Sequence, residues 1–399
     1  MNLNRGRPYV AIPGPSVIPD QVLQAMHRSA PNIYSSDLEH MVHGLLDDLR
    51  VVAGTDGYST IYIANGHGVW EAALSNTMSR GDRILVLATG LFARGWGGFA
   101  ESMGVSVEYI DFGPCGTIDA TRVAERLAGD HDHVIKAVIA VQVDTASSVR
   151  NDIASLSAAI KSTGHPALLM VDCIASLACE RFLMDDWGVD VMIAASQKGL
   201  MCPPGLGFMF FNDRARARCR SAGLRTPYWD WERRVDPEEF YMLFCGTAPT
   251  HLLYGLRTAL DMILKEEGLD AIWERHARLA RAVWAAVEKW SENGSIALNI
   301  SDPRHRSHAV TTIRTCPPFG RLLRNWTESN AGLTLGIGLG MGSPEDPDAS
   351  GYFRIGHMGH VNAHMILGAL GVIEAGFGAI GCRRGRGALD AAARVCSTG

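Results

Sequence analysis

Between residues 58 and 215 the chain alternates apolar runs of strand length with segments of helical periodicity, and this alternation constrains the fold more than any other feature. Ser59-Thr60-Ile61-Tyr62-Ile63 leads into a helix predicted from Val69, Arg83-Ile84-Leu85-Val86-Leu87 into a segment from Gly95, and residues 134–141 into a helix from Ile153. Two further runs, 167–171 and 191–195, are apolar throughout. Uninterrupted apolar strands are covered on both faces, and repeated strand, crossover and strand gives a mainly parallel sheet. Gly205-Leu206-Gly207-Phe208-Met209-Phe210-Phe211 follows the run at 191–195 too soon for a helical crossover. It is therefore predicted to return antiparallel, which makes the sheet mixed.

Beyond about residue 250 the pattern turns helical, with Ile272, His276, Leu279, Val283, Val287 and Trp290 three or four apart. That spacing is a core-facing stripe, so Trp284 and Trp290 are given no cofactor role. Strand-like segments at 309–314 and 351–355 and a helix over 363–375 follow. The predicted class is α/β, a large mixed, mainly parallel sheet domain with a smaller C-terminal α+β domain. The expected division is an N-terminal arm (1–20), a large domain (21–260) and a small domain (261–399), with the Gly/Arg-rich stretch 381–387 expected to be loose.

Composition narrows the partners. Charged residues make up 20% of the chain, are interspersed, and sum to a net charge of −5. That gives no electrostatic reason to expect nucleic acid or an anionic membrane, and points to a small molecule. The 9 cysteines form no CxxC pair, which is read as reduced thiols and a cytoplasmic location. The N-terminus carries no apolar leader and no window is apolar enough to span a bilayer, so the chain is expected to be neither secreted nor membrane-bound.

In open α/β sheets ligands lie beyond the carboxyl ends of the strands. Two polar residues fall there: Asp172 closes the run at 167–171, and Lys198 follows the run at 191–195. An aldehyde cofactor needs an amine for a Schiff base, and a pyridine ring acts as an electron sink only with a carboxylate beside its nitrogen. The same pair also suits a plain ion pair at strand ends. Ala64-Asn65-Gly66-His67-Gly68 joins a strand to a helix and is either an anion cradle or an ordinary turn; it is not a P-loop. Gly336–Gly342 lacks the third glycine of a dinucleotide fingerprint. Arg354 suits a carboxylate fork, while His360 and His364 lack a third ligand and are read as non-ligands.

These residues take their place in a longer series: Pro13-Gly14-Pro15, Glu71-Ala72-Ala73-Leu74, Gly81-Asp82, Trp187-Gly188-Val189-Asp190, Ser196-Gln197-Lys198-Gly199, Pro203-Pro204-Gly205, Leu253-Tyr254-Gly255-Leu256-Arg257 and Phe353-Arg354-Ile355-Gly356-His357. In order and spacing the series resembles the class V (fold type I) aminotransferases, most of all the serine–glyoxylate and alanine–glyoxylate family, over nearly the whole chain. The resemblance implies pyridoxal 5'-phosphate bound to Lys198 as a Schiff base, with Asp172 on the ring nitrogen. It places Asn65, Gly66, His67 and Gln197 about the phosphate, Phe92 against the ring and Thr145 near the ring oxygen. Thr247 would reach the phosphate of the other subunit, which implies a homodimer with active sites at the interface. Gly14, Tyr34 and Arg354 would meet substrate. The implied reaction moves an amino group from a small amino acid, serine or alanine, to a 2-oxo acid such as glyoxylate or pyruvate.

Two stretches depart from the family pattern. Asn32-Ile33-Tyr34-Ser35-Ser36 stands where relatives carry an Asp-His-Arg-like segment, and Asp144-Thr145-Ala146-Ser147-Ser148 is similar instead to pyridoxamine–pyruvate aminotransferases. Pyridoxamine–pyruvate or aspartate–glyoxylate activity is therefore the alternative. Further alternatives are a cysteine desulfurase using Cys316 and a non-catalytic ligand-binding relative.

Overall fold

The computed structural model describes residues 3–397. After a short strand β1 (Tyr9–Ala11), the chain lays down β2 (Tyr58–Ala64), β3 (Arg83–Ala88), β4 (Ser106–Asp111), β5 (Ile135–Val141), β6 (Leu168–Asp172), β7 (Val191–Ala195) and β8 (Gly205–Phe211). The seven strands from β2 form one sheet in the order β2-β8-β7-β6-β5-β3-β4. Only β8 runs antiparallel to its neighbours, as the short connection before it requires.

Each central strand feeds a separate core on either face. In β6 Leu169 and Val171 join one cluster and Leu168 and Met170 the other; in β7 Met192 and Ala194 oppose Val191 and Ile193. The period of two is present, but both sides are apolar, so the sequence reads as a continuous run. Each fully buried aliphatic side chain contributes about 1.5–3 kcal/mol, which makes this sheet the main source of stability.

A second sheet is built from β9 (Ala297–Leu298), β10 (Val310–Arg314), β11 (Leu333–Ile337) and β12 (Tyr352–Gly356), in the order β1-β11-β12-β10-β9. The N-terminal strand β1 thus pairs in parallel with β11, so the arm is woven into the C-terminal sheet.

Three predicted features are corrected. The helix after β2 starts at Gly66 rather than Val69, because the Asn65 side chain accepts the His67 and Gly68 N–H groups at 3.1 and 3.2 Å and caps it early. The helix after β3 covers Leu91–Ser102 rather than starting at Gly95. Its internal glycines weaken the helical signal but are needed for packing: a Cβ on Gly95 would lie 3.2 Å from Trp70, and one on Gly97 would lie 2.5 Å from the Tyr109 hydroxyl. Finally, residues 381–387 are packed rather than loose. Cys382 is buried, Arg384 Nε donates to Glu374 at 2.8 Å, and the Gly385 N–H bonds the Trp290 carbonyl at 3.0 Å. The helix Ala388–Ser397 then packs along Leu269–Ser291 and draws the stretch in.

Asp190 locks the entry to β7. Its buried carboxylate accepts the Leu169 N–H at 2.8 Å, the Asn212 amide at 2.9 Å and the Arg214 guanidinium at 3.0 Å. Asp190→Ala leaves the Leu169 N–H without a partner inside the sheet. It is expected to lower the unfolding free energy by about 1–3 kcal/mol in chemical denaturation.

Candidate active site

The register between β6 and β7 sets Asp172 opposite Ile193, so β6 ends level with the middle of β7. Lys198 follows three residues beyond the end of β7, in a turn that Ser196 closes by donating to the Pro203 carbonyl at 2.6 Å. The N-terminal segment crosses this edge. The Ser16 N–H and hydroxyl donate to the carbonyls of Gln197 and Lys198 at 2.9 and 2.7 Å, and Lys198 Nζ donates to the Pro13 carbonyl. Gly14, at φ +92°, lies against the lysine: a Cβ there would stand 2.5 Å from Nζ. Only glycine fits this crossing.

Asp172 is 2% exposed, and both its oxygens are held: Oδ1 accepts the Ile174 N–H and Oδ2 the Trp70 indole N–H, each at 2.7 Å. Burial pushes its carboxyl up to about 6, against the pull of those two donors. Burial lowers the Lys198 amine to about 8, helped by the positive Arg354 nearby. A buried carboxylate and an amine of lowered pKa thus share one cavity of roughly 200 Å³.

The cavity is also lined by Asn65, Gly66, His67, Phe92, Thr145 and Gln197. The helix Gly66–Thr77 turns its N-terminus to it, the end at which the dipole favours an anion. Phe92 offers an aromatic wall, and its backbone N–H donates to Asp144 Oδ2 at 2.9 Å. Asp144 Oδ1 accepts from Ala146 and Ser147 at 2.8 and 3.2 Å, so one buried carboxylate joins the Phe92 turn to the Thr145 loop. Gly90 is needed for that approach, since a Cβ there would lie 2.3 Å from the Asp144 carboxyl carbon. Gln197 Oε1 is buried without a hydrogen-bond partner, an open valence at the cavity.

Arg354 projects from β12 and is 6% exposed. Its Nε donates to Ile337 and Nη1 to Thr145, both carbonyls at 2.6 Å, so it adjoins the cavity through the Thr145 loop. Tyr34 is 82% exposed and Thr247 is exposed; neither lines the cavity within the single chain. Cys316 is exposed and also lies outside it. His360 and His364 line a different, larger cavity of about 870 Å³ beside the N-terminal arm, which has no lysine–carboxylate pair. Among the described residues no cluster of three metal-ligating side chains occurs. The sequence gives no sign of Trp70: its partner Asp172 is 102 residues away, and a tryptophan in a buried helix reads as core.

Residues 9–317 match the family model described as Aminotransferase class-V. The serine–glyoxylate aminotransferase of Arabidopsis thaliana is 35% identical over 378 residues, covering 92% of this chain and 90% of that protein. The L-aspartate–glyoxylate aminotransferase of Paracoccus denitrificans is 32% identical over 370 residues, with the same coverage of 92% and 90%. Among solved structures, the ureidoglycine–glyoxylate aminotransferase of Bacillus subtilis superposes with a TM-score of 0.88 at 21% identity, over 100% of both chains. That likeness fixes the arrangement as fold type I, while the sequence relatives carry the assignment. The chain belongs to the class-V aminotransferase family and is a transaminase.

Proposed function

We propose that this transaminase uses pyridoxal 5'-phosphate to move an amino group from serine or alanine to glyoxylate or pyruvate. The reading rests above all on Lys198 and Asp172 meeting at one small cavity walled by Phe92 and a helix N-terminus. These residues fit the cofactor: an amine of lowered pKa for its aldehyde, a buried carboxylate for its ring nitrogen, and the Asn65–His67 turn with Gln197 for its phosphate. When bound, the group supplies a carbonyl that takes up amines and a cationic ring that accepts an electron pair.

The chain does the rest. Asp172, held from two sides, keeps a proton on the ring nitrogen. Lys198 Nζ would carry a proton away from the substrate Cα. Phe92 supplies a flat apolar face, and Arg354 holds the substrate carboxylate so that the reacting Cα–H bond is fixed in direction. Asp144 ties the phenylalanine to the Thr145 loop that Arg354 bonds.

Thr247 and Tyr34, both exposed, are proposed to complete the site across a homodimer interface. The free state of all the cysteines supports a cytoplasmic location. Among the described residues no helix is long and apolar enough to cross a membrane. Serine and glyoxylate are favoured by the 35% identical relative, with aspartate as the competing donor from the 32% identical one.

Purified protein supplied with pyridoxal phosphate should convert glyoxylate to glycine with serine or alanine as donor, read by chromatography of the products. Transfer from aspartate or pyridoxamine alone would redirect the donor assignment. Failure to take up the cofactor would sink the proposal.

A further inference from the structure

Trp70 occupies an unusual place for a core tryptophan. Its indole N–H is spent on Asp172 Oδ2 at 2.7 Å, and its ring lines the same cavity as the carboxylate. Around it stand the other walls of the site. The His67 ring meets it edge-on at 4.6 Å and the Phe92 ring at 6.2 Å, while Trp96 stacks behind at 6.3 Å and donates its own N–H to the Trp70 carbonyl at 3.2 Å. One side chain therefore touches the phosphate turn, the aromatic wall and the ring-nitrogen anchor.

Resting on the cofactor reading above, we propose that Trp70 is a positioning residue for Asp172: its N–H fixes the rotation of the carboxylate and favours the anion that a protonated ring nitrogen needs. The Ile174 N–H alone would hold only Oδ1 and leave the group free to swing about that contact. A hydrogen bond from a neutral N–H to a carboxylate stabilises the charged form over the neutral one. Removing it turns Asp172 toward the protonated form, which cannot keep a proton on the ring.

The test compares Trp70→Phe with Trp96→Phe. Both remove a buried indole N–H from the same aromatic cluster, but only Trp70 touches Asp172. Equilibrium titration of cofactor-free protein with pyridoxal phosphate should show binding weakened about 10- to 100-fold in Trp70→Phe, the loss of one hydrogen bond to a charged group, and unchanged in Trp96→Phe. A second readout needs no cofactor. In 15N-labelled apoprotein the indole resonance that vanishes in Trp70→Phe should shift with pH near 6, following the ionisation of Asp172, and should stop shifting in Asp172→Asn.

Equal losses in the two variants would reduce Trp70 to packing and overturn the proposal. So would an indole resonance indifferent to pH. If the wild type takes up no pyridoxal phosphate, the cofactor reading falls and this proposal with it. If the wild type binds and Trp70→Phe binds as tightly, the cofactor reading stands and only the role of Trp70 falls.

Discussion

Lys198→Ala is expected to lower turnover by on the order of 10⁴-fold, the combined loss of the cofactor's attachment and of the group that carries the substrate proton. The cofactor should still enter, because the Asp172 carboxylate and the helix N-terminus at Gly66 remain, but borohydride should no longer fix it to the chain. A direct mark of the lysine is its pH dependence. Burial brings the amine down to about 8, so its neutral, nucleophilic fraction rises about tenfold per pH unit below that value and levels off above it. The rate at which apoprotein captures pyridoxal phosphate should follow the same curve in rapid-mixing absorbance. The same depression has a stability consequence of fixed sign. The unfolded chain holds the proton up to the ordinary lysine value of 10.5 while the folded chain releases it near 8, so the apoprotein gains stability as pH rises between the two. Lys198→Ala should flatten that rise. Near wild-type turnover in the variant would overturn the mechanism.

What could be read beforehand follows from where each signal lies in the chain. The β6 and β7 runs are apolar on both faces, so their ends are sharp, and Asp172 and Lys198 stand out as polar residues at strand termini. These strands are neighbours joined by one crossover, residues 173–190, as strands consecutive in a parallel sheet commonly are. Gly66 and His67 were legible as a turn but not as a helical start, because the Asn65 cap that advances the helix works through a side-chain bond that periodicity does not register. Long-range partners left no trace. The Trp70 bond to Asp172 and the Asp144 bond to the Phe92 N–H join residues far apart in sequence, and the aromatic partner in each pair reads by itself as ordinary core. The strand within the N-terminal arm left no signal: its three residues are too few for a pattern, and only their pairing with β11 gives them a sheet. Motif resemblance supplied the residues that geometry in one chain does not gather, Tyr34 and Thr247, and these still wait on the homodimer proposed above.

Arg354 carries the second large expectation. The Ile337 and Thr145 carbonyls hold its Nε and Nη1, so the guanidinium plane is set before substrate arrives, and among the described residues Nη2 has no hydrogen-bond acceptor. Burial lowers the group to about 10, with the negative Asp144 opposing the shift, so it stays a cation at neutral pH. Arg354→Lys keeps a charge but cannot satisfy both carbonyls and still present a planar fork. Each lost hydrogen bond to a charged group is worth about 1.5–3 kcal/mol, so kcat/KM should fall on the order of 10²-fold in Arg354→Lys and 10³-fold in Arg354→Ala. The alanine variant goes further because it also removes the positive charge facing Asp144, whose carboxyl burial already pushes upward, and so loosens the Phe92 turn that Asp144 holds. The two half-reactions decide the assignment. Amino donor and oxo acid share only the carboxylate, so the penalty should be of equal size for serine and for glyoxylate in single-turnover measurements. A loss confined to the donor would mean that Arg354 recognises something other than the carboxylate, and the choice of substrate would then have to be sought at the Asn32–Ser36 segment instead.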